Sequence, residues 1–341
     1  MNPLDGFAVD PADLRFVGEG LEPPECILAE RDGTLWSADG RGGVVRIAPD
    51  GQQELILQGE ANAASDFESR LVQAEGSLPN GLAFDENGDI LIANWGTERL
   101  ERMSRDGART EVLLDQIEGQ RIGKANFVTR DSKGRLWLTV TTQLQPWTDH
   151  VKTQSRDGYI ALIDDRGARI VADGLCGTNE LRFDAREEWV YVAETTARHV
   201  TRFRVEGDAL VEREIYGPSD LGGYNDGIAF DAYGNLWTTL IMADRLVAIT
   251  PEGDLRTILD LGGDPAALAA LDAAHAAGRV TPELMGAAGG SLCRWMASLT
   301  FGGPDLRTVY LGSLQGSRIP YFRSPVAGLP LLGWSQCASR S

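Results

Sequence analysis

Ile228–Thr239 reads IAFDAYGNLWTT: two alternating apolar runs on either side of a short Asp/Gly/Asn turn, the second run carrying an apolar–aromatic pair and ending on a small residue. Alternation on both sides of such a turn is a β-hairpin signature, because side chains of a strand point to opposite faces at every step. The same form recurs at Ile27–Ala38 (ILAERDGTLWSA), Leu82–Ala93 (LAFDENGDILIA) and Val128–Thr139 (VTRDSKGRLWLT). It appears again at Leu181–Ala193 (LRFDAREEWVYVA) and Leu299–Gly312 (LTFGGPDLRTVYLG). Most copies are followed by a third alternating run closed by another turn, such as VVRIAPDG, LERMSRDG, VTRFRVEG and LVAITPEG.

Aligned on the aromatic pair, the copies fall at Trp36, Leu91, Trp137, Tyr191, Trp237 and Tyr310, with spacings of 55, 46, 54, 46 and 73 residues. A period of this size with three or four short strands per copy predicts an all-β, six-bladed β-propeller. A sandwich or jelly roll does not account for six in-phase copies. The ring takes in residues 1–341 as one domain. The long spacings mark insertions at residues 52–79, 140–158 and 260–297, placed over one mouth of the channel. The last is Ala-rich and begins Asp264-Pro265, which predicts a short helical insertion over that mouth.

The remaining composition narrows the function. With 32 Lys+Arg against 50 Asp+Glu in 341 residues, the formal charge is −18. No basic run offers a face to nucleic acid or an anionic membrane. No apolar stretch approaches the ~18 residues of a membrane span, and the first residues lack a secretory signal pattern. Cys26, Cys176, Cys293 and Cys337 are scattered with no CxxC pair, which fits free thiols in a cytoplasmic protein. His150, His199 and His275 are far apart, which argues against a His-rich metal site or a His-dependent triad; His199 and His275 are expected on the surface. Neither a GxSxG elbow nor an HExxH helix occurs. Asp85–Asp89 (DENGD) resembles a calcium loop faintly, but it recurs as ERDG, DSKG and DAYG at the hairpin turns and is read as a turn.

Two residues before the first apolar residue of each hairpin stand Glu25, Asn80, Asn126, Asn179, Asp226 and Ala297. Equivalent positions of a propeller face one axis, so five oxygen-bearing side chains converge there. Carboxylates mixed with carboxamides, without thiolate or imidazole, suit a hard dication. Ca²⁺ is the leading choice, with Mg²⁺, Mn²⁺, Fe²⁺ or Zn²⁺ as alternatives; a structural zinc would want Cys or His.

These residues carry a resemblance. Glu25, Asn126, Asn179 and Asp226 in successive blades, with TNELRFDAREEWVYVAETTARHVTRFRV, NDGIAFDAYGNLWTT and SLTFGGPDLRTVYLGS, resemble the gluconolactonase family that includes regucalcin and luciferin-regenerating enzyme. Paraoxonases and diisopropyl fluorophosphatase are more distantly similar. The resemblance spans about residues 15 to 320 and implies a metal-dependent hydrolase that opens a lactone or ester ring. It implies Glu25, Asn126, Asn179 and Asp226 as metal ligands, Asp226 as general base with Glu25 as the other catalytic carboxylate, and Asn126 as a contact to substrate. Asn80 is then held behind the metal, near substrate. The family often has Arg-x-Asn-Asp in the third blade, where this chain has Lys124-Ala125-Asn126-Phe127, and Pro where it has Asn225. Lys124 keeps a charge at substrate while Phe127 removes an acid. With Trp95 and Trp147 on connections near the mouth, these departures favour a less polar, aromatic-bearing substrate. The expected partner is a small-molecule lactone or ester, with no nucleic acid and no membrane. Phosphotriester or aryl ester hydrolysis at the same site, and a non-catalytic calcium-stabilised binding propeller, are the competing readings.

Overall fold

The computed structural model describes residues 1–59, 76–332 and 334. Six four-stranded antiparallel sheets follow one another along the chain. Each begins with one of the predicted hairpins, as in Asn225–Phe230 paired with Leu236–Leu240. Their innermost strands pack side by side in chain order, and the strand Met296–Gly302 of the sixth blade packs against Ile27–Ala29 of the first. The chain is thus a six-bladed β-propeller.

The ring closes through a strand absent from the repeat pattern. Arg15–Val17 pairs antiparallel with Ile319–Arg323, Arg15 opposite Tyr321 and Val17 opposite Ile319, so the start of the chain is the outer strand of the last blade. Gln53–Leu57 corrects one expected boundary: it is the outer strand of the first blade, paired with Gly43–Ile47, so no insertion begins at residue 52. The rest of the 52–79 insertion lies largely outside the described residues.

The hairpin turns do the work of holding each blade. Trp36, Trp137 and Trp237 are fully buried, and each indole Nε1 donates to an acid at its own turn: Glu30 at 2.6 Å, Asp131 at 3.0 Å and Asp231 at 2.9 Å. A buried indole N–H left unpaired would cost about 1–3 kcal/mol, so the turn acid and the aromatic are one structural unit. DENGD is also a turn: Asp85 Oδ1 accepts from the amides of Asn87 and Asp89, at 2.7 and 2.9 Å.

Among the described residues, three α-helices sit in the two remaining insertions. Helix α1 is Thr148–Thr153, α2 is Pro265–Ala276 and α3 is Pro282–Ala287. Helix α2 starts as predicted, with Pro265 in its first turn and the Asp264 side chain accepting from Ala266 N at 2.9 Å. The 260–297 insertion holds two helices where one was expected. Leu271 and Ala274 of α2, Met285 of α3 and Val151 of α1 pack with Tyr224, Ile241, Met242 and Trp295 in one apolar cluster. Asp244 fastens the far end of this insertion, accepting from Gly290 N and, at 3.0 Å, from Met296 N. Among the described residues no helix is long and apolar enough to cross a membrane.

Candidate functional site

The inner strands of blades two to six share one irregularity. Pro79 lies opposite Asn94 and Leu82 opposite Ile92, so the inner strand has one residue more than its partner between those pairs. The same extra residue falls between Ala125 and Phe127, Thr178 and Leu181, Asn225 and Ile228, and Met296 and Leu299. Each bulge brackets the residue singled out by register: Asn80, Asn126, Asn179, Asp226 and Ala297. A bulge locally frees the ladder and re-aims a side chain. The amides it releases are recovered in part by the small residue that ends the hairpin, since Phe127 N donates to Thr139 Oγ1 at 3.1 Å and Gly227 N to Thr239 Oγ1 at 2.9 Å.

Glu25, Asn80, Asn126, Asn179 and Asp226 line one cavity of about 120 Å³ at the mouth that carries the helices. Asn80 Nδ2 donates to Glu25 Oε1 at 2.7 Å. Asn179 Nδ2 donates to Thr195 Oγ1 at 3.2 Å, and its side chain also bonds Asp226. Asn126 Oδ1 is buried without a hydrogen-bond partner. Burial pushes the Glu25 carboxyl up to about 8, opposed by the Asn80 hydrogen bond and reinforced by Glu180. Burial, then the charges of Glu25 and Glu180, hold Asp226 well above the usual carboxylate range. Glu180 itself lies outside the cavity lining and is held by Arg182 at 2.9 Å and Ser298 Oγ at 2.6 Å.

Among the described residues no group of three or more His, Cys, Asp and Glu is placed to hold a metal. The cavity set draws the rest of its oxygens from carboxamides. Two crowded carboxylates and an orphaned amide carbonyl are groups that a hard, oxygen-loving dication satisfies, so the donor chemistry fits one.

Trp95 and Trp147 both line the cavity, in edge-to-face contact with ring centroids 5.4 Å apart. Lys124 does not line it. Its ammonium sits 3.2 Å from Glu98 Oε1 and 3.3 Å from the Trp95 carbonyl, so its charge is engaged behind the wall. Ala297 offers no side-chain oxygen; its carbonyl accepts from Thr239 Oγ1 at 2.6 Å.

Several lining residues escaped the sequence reading. His150 on α1 is 2% exposed and lines the cavity, with Nε2 3.4 Å from Thr196 Oγ1. Burial pulls its pKa down to about 4, against Asp157 and a backbone contact at Ser155, so the ring is neutral at pH 7. Met242, Met285, Trp295 and Tyr224 also line the cavity. All but Tyr224 and Met242 come from insertions, where no repeat register marks them. Tyr224 directly precedes the register pair Asn225-Asp226, the one signal that pointed to it. The surface expectation for two histidines is corrected: His199 packs 3.5 Å from the buried Glu194, and His275 Nδ1 meets Tyr224 OH at 3.0 Å. Cys26 is a packing residue; its sulfur accepts from Leu82 N at 3.3 Å and burial pushes the thiol up to about 12.

The comparisons with known proteins agree with this picture. A family model described as the SMP-30/Gluconolactonase/LRE-like region matches residues 109–275. The chain is 25% identical over 234 residues to Protein STRICTOSIDINE SYNTHASE-LIKE 4 of Arabidopsis thaliana, covering 66% of this chain and 59% of that protein. It is 23% identical over 240 residues to a 6-deoxy-6-sulfogluconolactonase of Pseudomonas putida, covering 69% and 68% of the two chains. The chain thus spans about three fifths of the length of the first of these relatives. Among solved structures, regucalcin of Agrobacterium tumefaciens, described as a calcium-binding protein, superposes with a TM-score of 0.64 at 14% identity over 93% of this chain and 96% of that one. The resemblance to the gluconolactonase family and the six-bladed plan both stand.

Proposed function

We propose that this protein is a lactonase: it opens the ring of a small lactone by hydrolysis, using a divalent cation held by Glu25, Asn126, Asn179 and Asp226. The observation that carries the reading is the convergence of five carboxylate and carboxamide side chains from successive blades on the floor of one cavity, with the Asn126 carbonyl unpartnered there. The gluconolactonase-type relatives support the reaction class and the calcium-binding structural neighbour supports the cation. A pure binding scaffold has no need of such a floor beneath an accessible cavity.

When bound, the cation polarises the lactone carbonyl and stabilises negative charge on its oxygen. Asp226 takes a proton from the attacking water as the hydroxyl oxygen bonds the carbonyl carbon. The ring C–O bond then breaks, and the proton passes to the departing alkoxide, giving a hydroxy acid. Glu25 is the second carboxylate, and the hydrogen bond from Asn80 to its Oε1 positions it. The apolar wall above the floor keeps bulk water from the reacting carbonyl. Cys26, Cys176 and Cys293 are buried free thiols, which supports a reducing, cytoplasmic setting.

The test is hydrolysis of a panel of lactones by chelator-stripped protein before and after Ca²⁺ is returned, with Asp226→Asn alongside. The expected result is activity that depends on added cation and falls at least 10²-fold in the variant, the usual scale for a lost acid–base group. Undiminished turnover in Asp226→Asn, or turnover indifferent to chelation, would contradict the assignment.

A further inference from the structure

Above its polar floor the cavity is walled by apolar and aromatic groups: Trp95, Trp147, Met242, Met285, Trp295 and Leu314. Among the described residues no Lys or Arg lines it. The few described wall hydroxyls each already have a partner in the protein. Thr141 Oγ1 donates to Thr178 O at 2.8 Å, Thr195 Oγ1 accepts from Asn179, and Thr196 Oγ1 lies between Cys176 Sγ at 3.1 Å and His150 Nε2. Tyr224 OH is paired with His275. Among the described wall groups only the Trp95 indole N–H and His150 Nδ1 are buried without a partner, too few to match a ring of hydroxyls.

A ring bearing several hydroxyls would exchange its hydrogen bonds to water for contact with indole and thioether, and an anionic substituent pointing at the wall would meet no Lys or Arg of the described residues. Hydroxyls buried without partners are strongly disfavoured, whereas alkyl or aryl surface gains from the same wall. We propose that the site is built for an apolar lactone, one carrying an alkyl chain or aromatic ring, and discriminates against polyhydroxylated and anionic sugar lactones. The inference rests on the lactonase reading. Three of these wall residues come from insertions, Trp147 beside α1, Met285 on α3 and Trp295 at the end of the 260–297 insertion, and Trp95, Met242 and Leu314 come from connections of the blades, so both set which ring is accepted.

The test compares kcat/KM of the cation-loaded protein for an alkyl δ-lactone, an aryl-fused lactone and glucono-δ-lactone. The apolar substrates are expected to be favoured by 10²-fold or more. Glucono-δ-lactone turned over within tenfold of them would overturn the inference while leaving the lactonase reading in place. A binding arm separates the two readings if no lactone opens. Tryptophan fluorescence is titrated with an unreactive alkyl lactam and with gluconolactam. Tighter binding of the alkyl lactam supports the apolar wall even as the lactonase reading fails; equal or reversed affinity overturns the inference. Met285→Gln and, separately, Met242→Gln are expected to lower the apolar-to-sugar ratio about tenfold, through KM more than kcat, the scale of a few methylene contacts. Met285→Leu should restore it. Ratios unchanged in both Gln variants would overturn the assignment.

Discussion

Gly227 carries no side chain because a Cβ there would stand 2.6 Å from Ser298 Cα and 2.7 Å from the Ala297 carbonyl. The residue next to Asp226 is therefore a spacer that lets two inner strands approach, and it ties the aim of the carboxylate to packing between blades five and six. Gly227→Ala is expected to cost about 1–3 kcal/mol through this overpacking, read from the midpoint of urea unfolding; a neutral substitution would mean the strands can part without penalty. His150 belongs to the same scale. Its folded ring binds a proton only near pH 4, while an ordinary imidazole does so near 6.5. Between those values the unfolded chain holds more protons, so stability falls as pH drops from 6.5 to 4, by on the order of 2–3 kcal/mol from this group. Asp157, nearby, moderates the effect. His150→Gln should show a shallower loss over that window than the wild-type chain, and equal slopes would contradict the buried neutral ring.

At the scale of elements, α2 is an Ala-rich helix that side chains tie to the blades. Arg198 Nη1 reaches Asp272 Oδ1 at 2.7 Å, and Gln154 Nε2 donates to the His275 carbonyl at 2.9 Å. Asp272→Ala is expected to speed amide exchange in residues 265–276 while leaving the blade strands protected; exchange raised equally in both would show that the helix does not move independently. The start of α2 was legible because Asp-Pro before an Ala-rich run is a local signal. Its partners were not, since Gln154 and Arg198 lie far away in sequence within segments that carry no periodicity. The same distinction runs through the site. Glu25, Asn80, Asn126, Asn179 and Asp226 stand at a fixed offset from a repeated hairpin, so register alone gathers them. His150, Met285 and Trp295 reach the cavity from insertions whose path only tertiary packing decides. Lys124 stands apart from the cavity lining for a related reason: Glu98, on a turn of the preceding blade, captures it, and nothing local in either segment announces that pairing.

For the whole molecule, the six hairpins made the propeller legible, but the closure was not. Arg15–Val17 is three residues long, shows no alternation worth reading, and pairs with a strand some three hundred residues away. Because that strand joins the first and last blades, the ring is expected to unfold as one domain in one cooperative transition, and removing residues 1–17 should lower the melting temperature well beyond what the loss of an ordinary edge strand would. Two resolved transitions in the intact chain would contradict this. The proposed chemistry requires successive blades to deliver their oxygens to a single cation. Calorimetric titration of chelator-stripped protein with Ca²⁺ tests it most directly, using the wild-type chain and Glu25→Gln, Asn126→Ala, Asn179→Ala and Asp226→Asn. The expected result is one site per chain at the axis, weakened at least tenfold by each substitution. Binding of unchanged affinity in all four variants, or no binding in the wild type, would contradict it.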